Sequence, residues 1–198
     1  MKAFHLHILY KTCVLLFFLT SCSTIKDIPD LKALYSANQI SSFALHGKIA
    51  FITAQERQSS NLYWQQKNER YELNLTTFLG IQLAEVVGTP NHLFVSADGK
   101  TYQSNSPEQL IEETIGWPVP ISHLQNWIKG VHNGVIINRH DNKQAKEVLV
   151  RTSSTEEWTL NYLSYKKYGN IYLPTKIKCQ SYGLTVILQI NEWENINQ

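Results

Sequence analysis

The sequence predicts a mainly β protein: one curved antiparallel sheet with short helices covering its open side. Three observations lead there. Apolar residues recur with period two in two separate blocks of the chain. Asp98-Gly99 ends one such run with a strong hairpin-turn signal. Between the blocks, a stretch of about 25 residues near 106–130 carries helix-start and helix-stop residues instead. An apolar sheet face must be buried against something, and helices between the blocks can supply the cover.

The first 21 residues are of another kind. Lys2 and Lys11 flank a start that leads into the apolar run from Cys13 through Leu19. That run is too short for a spanning helix, which needs about 20 apolar residues. Its layout is that of a cleaved secretory signal. Leu19-Thr20-Ser21-Cys22 then reads as a lipobox, the motif at which a lipoprotein is cut and its cysteine acylated. The expected modification is N-acyl and S-diacylglyceryl on Cys22. Ser23, rather than Asp, is compatible with sorting to the outer membrane. Two or more acyl chains give stable anchoring where one does not.

Residues 22–30 are expected to form the lipidated cysteine and its polar tether, and residues 31–198 one folded domain. Asp30 is placed to cap a short helix carrying Leu31, Leu34 and Tyr35. Alternation begins at Phe43, Leu45, Gly47, Ile49 and Phe51, continues through Leu62 and Trp64, and returns in Tyr71, Leu73 and Leu75. Ile81, Leu83 and Val87 are expected to continue the theme, followed by Leu93, Val95 and Ala97. In the helical stretch, Ser106 is expected to cap, Pro107 to take the first helical position and Gln109 to close a capping box. Leu110, Ile111 and Ile115 form a stripe ended by Gly116. Ser122 to Gln125 repeats the box spacing before Leu124, Trp127 and Ile128, with Gly130 as the stop. Alternation resumes at Val148 and Val150, then Trp158, Leu160 and Tyr162, then Ile177 and Cys179 after Pro174. It closes with Val186, Leu188 and Ile190 before Trp193.

Composition narrows the function. Hydrophobic residues make up 43% and charged residues 17%, a globular balance. Removing residues 1–21 takes two of the 18 basic residues and none of the 16 acidic ones, leaving 16 against 16. A neutral chain without a basic stripe argues against nucleic acid. Cys179 is the one cysteine beyond Cys22, so an internal disulfide is excluded and a buried apolar role is expected. His46, His92, His123, His132 and His140 form no metal-binding pair, and no nucleophile elbow, phosphate loop or dinucleotide fingerprint occurs. No catalytic residue, metal or separate cofactor is expected.

One segment stands out. Thr76-Thr77-Phe78-Leu79-Gly80-Ile81 joins two alternating runs, yet hairpin loops favour Gly, Asn, Asp and Pro. Phe78 and Leu79 either extend the core or form an exposed apolar tip that meets a membrane or partner.

Four segments together resemble the LolB family of outer-membrane lipoprotein receptors. They are Trp64-Gln65-Gln66 with Arg70-Tyr71-Glu72-Leu73 and Leu79-Gly80; Gly116-Trp117-Pro118-Val119-Pro120-Ile121 running to Trp127 and Gly130; Trp158 through Tyr162 and Tyr165 with Leu173-Pro174; and Ile190 to Trp193. The resemblance implies an incomplete antiparallel barrel of about eleven strands, with helices as a lid over a hydrophobic cavity. It implies that lipoproteins arrive from a LolA-type periplasmic carrier, that their acyl chains enter the cavity, and that Leu79, helped by Phe78, inserts into the outer-membrane lipid. Phe78 stands where the family often has proline. Phe43, Leu45, Ile49, Trp64, Tyr71, Leu73 and Trp127 would line the cavity or its lid. The protein is expected to act as a monomer, lipid-anchored on the periplasmic face of the outer membrane. The alternatives are an envelope lipoprotein with a similar cavity that binds lipid or glycolipid and takes no protein client, and a purely structural envelope lipoprotein with a packed interior.

Overall fold

The structure, a computed structural model, describes residues 36–116 and 118–197. The signal segment 1–21, Cys22 with its tether, the helix expected at Asp30 and the side chain of Trp117 lie outside the described residues.

Among the described residues, eleven strands form one antiparallel sheet that does not close. They are β1 (Ser42–Ile52), β2 (Arg57–Lys67), β3 (Arg70–Thr76), β4 (Gln82–Thr89), β5 (His92–Ala97), β6 (Lys100–Ser104), β7 (Val135–Arg139), β8 (Ala145–Arg151), β9 (Glu157–Tyr168), β10 (Ile171–Ser181) and β11 (Leu184–Asn197). The spatial order is β6-β5-β4-β3-β2-β1-β11-β10-β9-β8-β7. The two strand blocks of the sequence are thus two wings, joined where β1 pairs with β11. Strands β6 and β7 are the free edges. The helical stretch between them in sequence is α1 (Pro107–Ile115) and α2 (Ile121–Trp127).

Period two decides which side chains go inside. Phe43, Leu45, Ile49 and Phe51 of β1 are buried, as are Leu62 and Trp64 of β2 and Tyr71, Leu73 and Leu75 of β3. Across the join, Trp158, Leu160 and Tyr162 pack with Val186, Leu188 and Ile190. The helices close this core with Leu110, Ile111, Leu124, Trp127 and Ile128, all buried. One continuous hydrophobic cluster results. Cys179 is buried within it, and burial pushes its thiol up to about 12.

Four expectations need correction. Ile81, Leu83 and Val87 do not continue the buried parity: a register shift sets Thr76 opposite Gln82 but Leu75 opposite Ala84. The extra residue moves the inward face of β4 to Ala84, Val86 and Gly88 and leaves Ile81 and Leu83 exposed. Ser106 sits at the cap of α1, but its side chain makes no capping bond, and Gln109 donates to Glu113 rather than closing a box. Helix α2 starts from Pro120, so Ser122 lies inside it and caps nothing. The sequence reading passed over β7, although Val135, Ile136 and Ile137 are three β-branched residues in a row. It also passed over a 3-10 turn at Ala37–Gln39, closed by a Ser36/Gln39 capping box.

Candidate functional site: an apolar hairpin tip and a lidded core

The tip between β3 and β4 is built from its backbone outward. The Gly80 amide donates to the Thr77 carbonyl at 3.0 Å, and the Thr77 amide donates to the Ile81 carbonyl at 2.8 Å. Gly80 has φ +82, a left-handed conformation that costs a residue with a Cβ about 1–2 kcal/mol. A turn followed by a left-handed glycine is a common way to close a short hairpin loop. Two side-chain bonds hold it: the Ile81 amide donates to Thr77 Oγ1, and Asn61 Nδ2 of β2 donates to the Thr77 carbonyl. Thr77, the Gly80 amide and Ile81 are thus bonded within the hairpin and its neighbouring strand. What it offers outward is carbon: Phe78 is 87% exposed, Leu79 80%, Ile81 64% and Leu83 44%. Of the two readings of this segment, the backbone adopts the exposed one.

The seven residues proposed to line a cavity or its lid come together. Phe43, Leu45, Ile49, Trp64, Tyr71, Leu73 and Trp127 are all buried in the same cluster. Aromatic contacts link them across the sheet: Phe43 meets Trp64 at 6.4 Å and Trp193 at 5.1 Å between centroids. Tyr71 fits because Gly88 lies opposite it; a Cβ there would fall 2.5 Å from the Tyr71 ring.

Residues Val119–Ile128 cover the other wing. Trp127 packs on Trp158 at 5.6 Å, and Tyr162 Oη donates to the Trp127 carbonyl at 3.0 Å. Lys129 Nζ reaches the Ile40 carbonyl at 3.2 Å, tying the end of α2 to the start of β1. Burial lowers the pKa of Lys129 and of His132 beyond it. Among the described residues, His132 Nδ1 and Trp158 Nε1 are buried polar atoms without a hydrogen-bond partner. Both lie next to this lid segment. A groove of about 440 Å³ lies elsewhere, at the β10–β11 turn, lined by polar residues such as Glu157, Gln180 and Ser181. Among the described residues, no three His, Cys, Asp or Glu side chains gather as metal ligands, and no helix is long and apolar enough to cross a membrane.

Sequence reasoning identified Phe78 and Leu79 but missed Ile81 and Leu83 as part of the same exposed surface. No pattern of period two could find them, because the bulge that turns them outward has no such signature.

An unclosed eleven-stranded antiparallel sheet, with two short helices on its apolar face, defines a LolA-type fold. A LolA superfamily protein, NE2245 from Nitrosomonas europaea, shares it with TM-score 0.50 over 84% of this chain and 92% of that one, at 10% identity. A DUF1329 family protein from Desulfovibrio piger gives 0.51 over 82% and 89%, at 7% identity. Sequence goes further. Residues 41–193 match the family described as outer membrane lipoprotein LolB, and the chain belongs to that family. The outer-membrane lipoprotein LolB of Shewanella sp. (strain W3-18-1) is 31% identical over 186 residues, 92% of this chain and 87% of that protein. The same-named protein of Psychromonas ingrahamii is 32% identical over 157 residues, 79% and 77%.

Proposed function

We propose that this protein is an outer-membrane receptor that accepts lipoproteins from a LolA-type periplasmic carrier and places them in the outer membrane. Residues 1–21 are the cleaved signal, Cys22 carries the acyl anchor, and the domain acts as a monomer on the periplasmic face. No catalytic step is involved. The observation that carries the reading is the β3–β4 tip: four neighbouring apolar side chains are exposed on a turn whose backbone needs none of them.

The physical argument starts from the client. Exposing a sixteen-carbon acyl chain to water costs roughly 13 kcal/mol at about 0.8 kcal/mol per CH₂. A receptor must therefore offer apolar burial before the carrier withdraws its own. Behind this sheet the protein's own apolar groups pack into one cluster, with Trp127 on Trp158 and Tyr162 bonded to the Trp127 carbonyl. Displacing α1 and α2 lets acyl chains take their place against Phe43, Leu45, Ile49, Trp64, Tyr71 and Leu73. Apolar contact replaces apolar contact, so the exchange needs little net energy. A difference of about 1.4 kcal/mol already sets a tenfold direction. Leu79, with Phe78 beside it, then enters the bilayer and opens the route out.

The test follows labelled lipoprotein from a LolA-type carrier to this protein and on to outer-membrane vesicles. Leu79→Glu is expected to accept client normally and to stall before the bilayer. Normal delivery by that variant removes the role of Leu79, and failure of the unaltered protein to accept client removes the receptor reading.

A further inference from the structure

The turns of the sheet lie on two opposite rims. One rim carries the apolar tip, the Asp98-Gly99 turn and the β8–β9 and β10–β11 turns. The other carries the β2–β3, β7–β8 and β9–β10 turns, and the first described residues. The Ser41 amide donates to the Asn197 carbonyl there, and the Asn68 amide to the Ser41 carbonyl. The chain thus enters β1 from the rim that lies away from Phe78 and Leu79.

That second rim is cationic along one wing. Residues 139–147 and 163–172 hold Arg139, Lys143, Lys146, Lys166 and Lys167 against two acids, Asp141 and Glu147. All five cations are exposed, and none joins an ion pair among the described residues. Arg139 Nη1 instead donates to the Lys143 carbonyl, and Lys166 Nζ lies 5.4 Å from the centre of the Tyr168 ring. The β7–β8 turn is held beside β9: the His140 ring meets Tyr165 at 5.8 Å, and its Nε2 is 2.7 Å from the Tyr162 carbonyl oxygen. Tyr172, exposed, pairs with Lys167 across β9 and β10. The acids Glu192 and Glu194 of the same rim stand on β11, with Glu194 against His46 at 3.7 Å. The opposite rim has no such excess: Arg57, Lys100 and Arg151 face Glu56, Asp98, Glu156 and Glu157.

We infer that this cationic wing, Arg139, Lys143, Lys146, Lys166 and Lys167, is a second membrane-facing surface that docks on anionic phospholipid headgroups. It rests on the proposed anchor at Cys22 for its location, and two observations converge on it. The first strand on the Cys22 side of the chain begins at this rim, and lysines with exposed tyrosine are the side chains suited to a negatively charged interface. The protein then has a resting pose, with this rim down, and a delivering pose, with the apolar tip down. The tether permits the change: fourteen residue steps from Cys22 to Ser36 span at most about 46–50 Å, and an eleven-residue strand such as β10 is about 36 Å long.

The test uses the mature chain, residues 22–198, carrying Cys22→Ala, so that neither the signal nor an acyl anchor holds it to vesicles. It is expected to sediment with phosphatidylcholine vesicles containing about a third phosphatidylglycerol and to come off as salt is raised. Lys143→Gln, Lys146→Gln, Lys166→Gln and Lys167→Gln together are expected to weaken binding by about a hundredfold or more, at roughly fivefold per lysine. Arg57→Gln with Lys100→Gln, at the other rim, leaves binding unchanged. Binding that ignores phosphatidylglycerol and salt overturns the inference without recourse to any variant. So does a folded quadruple variant that binds normally, or one that loses only transfer from the carrier, which would make the wing a protein-docking surface. The mass of residue 22 in the unaltered protein is measured separately; an unmodified cysteine defeats the anchor reading and leaves the vesicle result to stand by itself.

Discussion

Two hairpin tips lie close together on one rim of the sheet. The β5–β6 tip is Asp98-Gly99, with φ of 51° and 72°, and both residues are exposed and suited to those angles. The β3–β4 tip also uses a left-handed glycine, Gly80, but presents Phe78 and Leu79 before it. Both tips solve the same backbone problem. Only the second adds apolar side chains that neither the turn nor the core requires. The difference separates what the fold demands of a turn from what something outside the fold demands.

Making the two tips alike gives the largest expected effect. Phe78→Asn with Leu79→Asp should abolish delivery of lipoprotein to vesicles, a loss of tenfold or more. Inserting a side chain of that size contributes about 1.5–3 kcal/mol. Stability should move by no more than about 0.5 kcal/mol, because these side chains touch no core. A urea titration of the same variant checks it, and a large drop in midpoint would mean that the tip is structural after all.

Gly80→Ala and Gly99→Ala sharpen the comparison at the backbone. Open space surrounds both positions, so each substitution meets only the cost of its left-handed φ. About 1–2 kcal/mol is expected at each, and the two Tm shifts should match within a few degrees. Unequal shifts would show that the two turns are not equivalent frames.

The smallest effect is that of pH, and it should arise away from either tip, in the core and lid. Burial raises the pKa of Tyr71, Tyr162, Tyr165 and Cys179 above their ordinary values of 10.0 and 9.0. The stability they contribute is whole below about pH 9 and is lost as pH rises through those values toward the folded ones. His132 is lowered by burial from 6.5, so its contribution is present above that value and is lost as pH falls. Lys129, lowered from 10.5, acts against the tyrosines on the alkaline side, since it gives up its proton more readily when folded. Thermal melts should therefore show a plateau between about pH 6.5 and 9. His132→Gln should flatten the acid limb, and an unchanged acid limb would exclude His132 as its source.

Much of the fold was legible because period two maps directly onto a sheet with one buried face. Phe43 to Phe51 and Trp158 to Tyr162 needed nothing else. Reading failed where the backbone, rather than the side-chain pattern, decides. The bulge at Leu83 reverses the face of β4 without changing a single apolar residue. Ser106 and Pro107 start α1 where the spacing puts them, but the Ser106 side chain makes no capping bond, and Pro120 starts α2 ahead of Ser122. The tip was legible as an anomaly of composition, whereas its direction and its extension to Ile81 and Leu83 required the register. The cationic wing was invisible in a chain whose charges cancel, because the excess appears only when β7, β8 and β9 are placed side by side.

The gap between β6 and β7 has a mechanical consequence. Among the described residues, every ladder in this sheet runs between neighbours in the order from β6 to β7, and none joins the two ends. Spreading those ends apart therefore breaks no backbone hydrogen bond, whereas a closed barrel would have to tear one row to widen. The wall can flex like a cupped hand while the pairing that holds the strands stays intact.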